Sequence, residues 1–296
     1  MWLDRNLMQI GVVYPQTELP TDPETVRTYV RRVEELGFQH IEIYDHVLGA
    51  DPAVHAGWKG PYDVDTTFHE PLVFFGFLAA ITKLELVTGI VIAPQRQTAL
   101  LAKQAAEVDI LTNGRLRLGI GVGWNSVEYD GLGQDFSTRG HRQEEQIDLL
   151  RRLWTERSVV HDGRFDSING AGLAPLPVQR PIPIWMGGRS PVAYRRIGRM
   201  ADGWFPRLEP GPHLDEARSI IAAAAAEAGR DAAAIGMDGR VNVGTGGGEA
   251  IAEHVERWRD AGATHVSVDT MNVGLTDLEG HLDALSRAAE AAILAA

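Results

Sequence analysis

The residues of this chain best suited to chemistry sit just past short apolar runs. His40-Ile41-Glu42-Ile43-Tyr44 leads into Asp45-His46. Imidazole is the side chain whose ordinary pKa lies nearest neutrality, so His46 can give or take a proton, and a neighbouring acid such as Asp45 can polarise or position it. The structural alternative is a histidine that fills a hydrogen bond beneath a loop. A second run, Arg115 to Leu118, continues as Gly119-Ile120-Gly121-Val122-Gly123-Trp124-Asn125. Alternate glycines let backbone approach a flat ligand and Trp124 offers an aromatic wall, although three glycines also ease tight strand packing. A third run, Ile184-Trp185-Met186, is followed by Gly187-Gly188-Arg189-Ser190 and then a helical pattern. Exposed N–H groups on a Gly-Gly turn at a helix N-terminus attract an anion, which Ser190 can help by capping the helix and Arg189 by its charge. That points to a phosphate in preference to an ordinary turn with a serine cap.

Lesser features carry less. Gly244-Thr245-Gly246-Gly247-Gly248 also suits phosphate, and a flexible loop explains it equally well. His55, His69, Glu70, His141 and Glu144 lack the paired histidine spacing of a zinc helix and read as scattered surface groups, so no metal is expected.

The elements that must position these groups alternate between short β-type runs and longer segments of helical period. Strands are expected at 8–14, 40–44, 84–88, 115–120, 183–186, 203–205, 240–243 and 265–268. Helices are expected at 23–36, 71–82, 98–111, 139–154, 192–200, 214–228, 249–261 and 278–294. Eight apolar strands, each followed by a helix, argue for a parallel sheet closed on itself, an α/β fold of the (β/α)8 TIM-barrel type. A doubly wound open sheet is the runner-up, but Tyr14-Pro15-Gln16-Thr17 after the first strand lacks its glycine fingerprint. The expected organisation is one domain over 1–296 with insertions near 51–67 and 156–180, the second holding a hairpin about Asp162-Gly163. Barrel enzymes build their sites at the C-terminal ends of strands, where all three motifs fall.

Composition narrows the chemistry. The 296 residues contain no cysteine, which excludes disulfides, thiolate metal sites and cysteine nucleophiles. Forty acidic against 28 basic residues, with no cluster of Lys or Arg, argue against nucleic acid as a partner. The start Met1-Trp2-Leu3-Asp4-Arg5-Asn6 has no basic segment with an apolar run behind it, and the longest apolar stretch, Leu72 to Ile81, is too short for a membrane span. A cytoplasmic protein with a small-molecule substrate and no membrane partner is expected. Only Lys59, Lys83 and Lys103 are lysines, and the rest of the basic residues are arginine, a bias typical of GC-rich bacterial genomes.

Several of these segments together resemble the bacterial-luciferase-like oxidoreductase superfamily. They are Glu34-Glu35-Leu36-Gly37-Phe38, Tyr44-Asp45-His46, Leu86-Val87-Thr88-Gly89-Ile90 and Leu101 to Asp109, together with Gly114 to Asn125 and Pro183 to Gly188. Their order and spacing over roughly residues 8 to 275 carry the likeness. The chain most resembles the actinobacterial branch that uses coenzyme F420, an 8-hydroxy-5-deazaflavin. The resemblance implies that Asp45 and His46 lie near the deazaflavin ring. Thr88, Gly89 and Ile90 would form a bulge against it, of a kind that often holds a non-proline cis peptide. Gly119, Gly121 and Gly123, with Trp124 and Asn125, would line the ring, Gly187 and Gly188 would hold the phosphate of the tail, and the protein would form a homodimer. Arg189 and Ser190 join that phosphate set on charge and capping grounds. Members that oxidise a sugar phosphate carry a glutamate where this chain has Trp124, which instead would shape an apolar pocket with Glu128 and Tyr129 as polar neighbours. The expected activity is hydride transfer to or from a small organic substrate, with His46 exchanging the proton. The alternatives are an FMN-dependent monooxygenase on the same barrel and a non-catalytic cofactor-binding barrel.

Overall fold

A computed structural model of the chain describes residues 8–244 and 246–292. The Met1–Asn6 start, Thr245 and the last two residues of the expected final helix, Ile293 and Leu294, lie outside the described residues. In chain order the elements are β1 Gln9–Val13, α1 Pro23–Glu35, β2 His40–Ile43, α2 Pro71–Leu78, β3 Glu85–Thr88 and β4 Val91–Ile92. Then follow α3 Thr98–Leu111, β5 Leu116–Gly121, α4 Ser126–Gly131, α5 Arg139–Thr155, β6 Val159–Asp162, β7 Ser167–Ala171 and β8 Ile184–Gly188. The chain continues through α6 Pro191–Met200, β9 Gly203–Pro206, α7 Pro212–Glu227, β10 Gly236–Asn242, α8 Gly247–Asp260, β11 His265–Asp269 and α9 Leu278–Ala292.

One sheet takes its strands in the order β3-β2-β1-β11-β10-β9-β8-β5-β4, with an additional β3–β5 pairing, and the fold is the α/β barrel of the TIM type. The chain divides into two compact units, residues 1–43, 81–87 and 185–296, and residues 44–80 and 88–184.

In the first unit β1 pairs in parallel with β2 and β11, and β8 to β11 follow in parallel succession. Its strands are apolar on both faces, with Val12, Val13, Ile41, Val266 and Val268 fully or almost fully buried. α1 begins where the Asp22 carboxylate accepts the N–H groups of Glu24 and Thr25 and Pro23 supplies a preset φ. It buries Val26, Tyr29, Val30 and Val33 along one stripe. β10 starts four residues before the expected 240–243, because Gly236 and Gly239 are strand glycines and not a turn. A Cβ on Gly236 would lie 2.6 Å from the Trp185 ring, and one on Gly239 would lie 2.2 Å from that of Trp258. Large rings occupy the space and the sequence shows only the glycines.

The second unit holds α2 to α5, β4 and β5, which pair in parallel, and the antiparallel β6–β7 hairpin expected about Asp162-Gly163. Glu145 pins that hairpin by accepting the N–H groups of Arg164, Phe165 and Asp166 at 2.9 to 3.0 Å. Residues 44–70 run without helix or strand. The long loop expected after β5 contains a one-and-a-half-turn helix, α4, and that helix carries the central acid of the site.

Candidate active site

His46 is held from one side by Glu128. The His46 Nδ1 lies 3.2 Å from Glu128 Oε2, which also accepts from Gln95 Nε2 at 3.0 Å. The other oxygen accepts from the backbone N–H groups of Val47 at 2.5 Å and Leu48 at 3.2 Å. Burial pushes the Glu128 carboxyl up, but the hydrogen bonds from His46, Gln95 and Val47, with the charge of His46, outweigh it and hold it below the usual glutamate value. A carboxylate at Nδ1 orients the ring and keeps the hydrogen on that nitrogen, so Nε2 is left to a substrate. His46 makes no hydrogen bond through Nε2 among the described residues and keeps 11% of its side chain exposed.

The acid beside His46 is therefore Glu128, and the expectation that Asp45 polarises it is corrected. Successive side chains leaving a strand point to opposite sides. Asp45 turns away to accept the Ile92 N–H at 3.0 Å and to pair with Arg96 at 2.8 Å, and Arg96 reaches Glu70 at 2.8 Å with its other nitrogen. Glu70 in turn caps α2 through the Val73 N–H. Burial raises the Asp45 pKa despite the opposing charge of Arg96. Asp45 is thus a structural bolt that fixes the end of β2.

Aromatic rings surround His46. Phe68 and Trp124 meet it edge to face at centroid distances of 4.8 and 5.5 Å, Tyr62 lies at 5.4 Å, and Trp58 leans on Trp124 at 5.5 Å. A cavity of about 140 Å³ is lined by His46, Tyr62, Phe68, Trp124 and the turn from Asp63 to Thr66. Trp124, expected as an apolar wall, is 39% exposed and lines this cavity. Asn125 also lines this cavity, with its amide held by the protein. It is buried, its Oδ1 accepts the Glu128 N–H at 3.2 Å, and its Nδ2 donates to the Leu48 carbonyl at 3.2 Å. Tyr129, buried, donates to the Val122 carbonyl at 2.8 Å and supports the turn behind Trp124.

The strand ends differ from one another. The peptide Gly89–Ile90 is cis, at the bend between β3 and β4. Thr88 Oγ1 donates to the Gly119 carbonyl at 2.7 Å, and both residues are buried. A Cβ on Gly121 would lie 2.5 Å from Ile90 Cδ1, so Ile90, half-buried, covers Gly121 and offers the apolar surface in its place. Gly123 has φ +63°, a conformation that favours glycine, where β5 turns toward α4. In the first unit, Gly187 and Gly188 do not form a turn. They extend β8, opposite Phe205 and Pro206, and a Cβ on Gly188 would lie 2.5 Å from that of Ala193. The turn is Arg189-Ser190 alone, both exposed, with Ser190 Oγ accepting the Ala193 N–H at 3.2 Å to cap α6. Gly244 and Gly247 take positive φ before and within the start of α8. Among the described residues no group of three or more His, Asp or Glu side chains could hold a metal, and no helix is long and apolar enough to cross a membrane.

Sequence reasoning missed Gln95, Arg96 and the three rings Trp58, Tyr62 and Phe68, and named Glu128 only as a neighbour. One signal for α4 and its acid was present. Asn125-Ser126-Val127-Glu128 has the capping-box spacing, a capping residue three positions before an acid.

The fold is a TIM-type barrel, and past its second strand the half-buried His46 pairs with the buried Glu128. The model of the luciferase-like monooxygenase family matches residues 8–290, and the chain belongs to that family, whose members are oxidoreductases and monooxygenases. An uncharacterized protein of Mycobacterium tuberculosis is 28% identical over 221 residues, 73% of this chain and 75% of that protein. The FMNH2-dependent dimethylsulfone monooxygenase of Pseudomonas putida is 33% identical over 148 residues, 49% of this chain and 40% of that one. The structure of coenzyme F420-dependent tetrahydromethanopterin reductase from Methanopyrus kandleri superposes with a TM-score of 0.76 at 16% identity, covering 97% of this chain and 99% of the other.

Proposed function

We propose that this chain is an oxidoreductase that uses the deazaflavin coenzyme F420 to transfer hydride to or from a small organic substrate, with His46 as the proton donor and acceptor. The observation that carries the reading is the His46–Glu128 pair, buried at its carboxylate end and facing an aromatic cavity at its other end. The residues present fit such a group. In the second unit Ile90, Gly123 and Trp124 offer apolar, partly exposed surface suited to a flat ring. In the first unit Arg189 with the capped start of α6, beside Gly187 and Gly188, offers charge and N–H groups suited to an anionic group. When bound, a deazaflavin supplies or accepts a hydride at carbon.

The chain's own part is the proton. When a carbonyl carbon gains hydride, its oxygen needs a proton, and His46 Nε2 of the imidazolium gives it while Glu128 stabilises the charged ring. When an alcohol is oxidised, the neutral ring takes that proton back at Nε2. The rings of Tyr62, Phe68 and Trp124 keep water from the exchange. Assembly as a homodimer, implied by the family resemblance, and a cytoplasmic setting, expected from the sequence, belong to the same proposal.

The relationship to an FMNH2-dependent enzyme favours a second reading, an FMN-dependent monooxygenase. Titrating the protein with F420 and with FMN, followed by fluorescence quenching, separates the two. Tighter binding of F420 is expected, and tighter binding of FMN overturns the ranking. His46→Gln should lower turnover by about 10²–10⁴ while sparing cofactor binding. Unchanged turnover removes His46 from the mechanism.

A further inference from the structure

Trp124 lines two cavities at once. The inner one is the cavity of about 140 Å³ that contains His46. The outer one, about 590 Å³ and more open, is lined by Trp58, Lys59, Gly60, Pro61 and Val127 together with Trp124. The Trp124 ring is seated against backbone on its outer side. A Cβ on Gly60 would lie 2.4 Å from Trp124 Cζ3 and 2.6 Å from Trp58 Cζ2, so glycine is what lets the loop close on both rings.

Apart from His46 Nε2, which is left to a guest, several polar groups of the inner cavity are already engaged by the protein. Asp63 Oδ1 accepts from Thr66 Oγ1 and from the Asp65 N–H, each at 3.1 Å, and Asn125 uses both ends of its amide on backbone. Among the described residues no Lys or Arg lines this cavity. A phosphate or carboxylate placed there would lose its water, face the Asp63 carboxylate and find no guanidinium or ammonium group to pair with, which is unfavourable. The apolar part of the walls consists largely of the Tyr62, Phe68 and Trp124 rings, which favour an aromatic guest in offset or edge-to-face contact, and the polar part is left to the guest's oxygen. A cavity of about 150 Å³ is large enough for one benzene ring.

We infer that the substrate is a neutral molecule with one planar ring at its reacting end and a further apolar part that extends into the outer groove. Trp124 is the specificity-determining residue between the two compartments. The inference rests on His46 being the reacting group of the proposed function, because the inner cavity is assigned to the reacting end for that reason. The binding that tests it is measured on the protein alone, so the two can fail separately. Loss of aromatic binding with His46-dependent turnover intact defeats the substrate class, whereas intact binding with His46-independent turnover defeats the proposed function.

The probes are acetophenone, with one ring, 2-acetonaphthone, with two, and glucose 6-phosphate, observed by saturation-transfer NMR on the full chain and quantified by competition. Both ketones are expected to bind. Phe68→Ala and Trp124→Ala should each weaken acetophenone by about tenfold, while Trp124→Phe should keep it within about threefold. Glucose 6-phosphate should neither bind nor compete. Absence of ketone binding overturns the inference. So does acetophenone affinity unchanged in Trp124→Ala and Phe68→Ala, or displacement of acetophenone by glucose 6-phosphate. Far-UV circular dichroism checks that each variant is folded, and Trp124→Phe supplies the comparison if the alanine variant is not.

Discussion

Replacing Glu128 with glutamine tests the centre of the site, because the side chain keeps its shape and loses one acceptor. Four donors converge on the carboxylate: Val47 N and Leu48 N on Oε1, His46 Nδ1 and Gln95 Nε2 on Oε2. The amide oxygen can retain the two backbone N–H groups, which leaves its NH2 facing His46 and Gln95. Gln95 can turn its own amide to present oxygen. His46 can accept only if its hydrogen moves from Nδ1 to Nε2. The nitrogen that faced the substrate as an acceptor then becomes an N–H, and proton uptake from an alcohol loses its base. A comparable tautomer inversion beside the histidine of a protease triad costs about 10⁴-fold in turnover, so a loss of about 10²–10⁴ is expected here. Two charge-assisted hydrogen bonds become neutral ones, which should lower stability by about 2–4 kcal/mol. Long-range ¹H–¹⁵N correlation on ¹⁵N-histidine-labelled protein reads the tautomer directly, with His46→Gln assigning the signal among the 10 histidines of the chain. The neutral ring should carry hydrogen on Nδ1 in the natural protein and on Nε2 in Glu128→Gln. A ring protonated at Nε2 in both, with urea stability equal within about 0.5 kcal/mol, would refute the reasoning.

Three further outcomes follow from the same geometry. Arg96→Met leaves Asp45 buried with the Ile92 N–H as its remaining polar contact of those described above, and should cost about 3–5 kcal/mol in urea unfolding at neutral pH. Because burial already raises the Asp45 pKa, the loss should shrink as pH falls and the carboxyl protonates, and a loss that grows toward acid contradicts this. Glu128 runs the other way. Its folded-state pKa lies below its ordinary value of 4.5, so its stabilisation is complete above that value and disappears as pH falls through the lower, folded one. The stability difference between the natural protein and Glu128→Gln should therefore narrow in urea titrations from about pH 7 to about pH 3, and a constant difference counts against the carboxylate. Gly60→Ala drives a methyl group into Trp124 and Trp58, which should cost about 1–3 kcal/mol in thermal or urea unfolding and change acetophenone affinity, and an unperturbed variant denies that the loop closes on these rings.

The barrel was legible because its signal is repeated. Eight runs such as Val12-Val13 and Val266-Ser267-Val268 are too apolar to have a wet face, and helical segments separate them. The positions of Asp45 and His46 past the second strand followed from the same rhythm. Their roles did not, because neighbouring residues at a strand end face opposite ways and the acid that meets His46 lies 82 positions further along. It sits on a six-residue helix, too short for hydrophobic period to reveal, and only the capping spacing marks it. Gly187 and Gly188 show the opposite error. A glycine pair before a helix reads as a turn, yet here it is strand, and the missing side chain of Gly188 makes room for Ala193. Trp58, Tyr62 and Phe68 were invisible as a set because no periodicity relates residues in an irregular loop.

That loop has a consequence for how such a protein could change its use. Two of the three rings that meet His46, and the Trp58 ring that leans on the third, come from the irregular segment between β2 and α2, whereas the histidine's orientation depends on α4, Gln95 and the backbone just after β2. Proton chemistry and substrate fit are thus written in separate stretches of chain. Exchanging residues 51–68 for a loop of another shape would give the same acid–base pair a new set of molecules to act on, and random variation confined to that stretch is where a laboratory search for new substrates should begin.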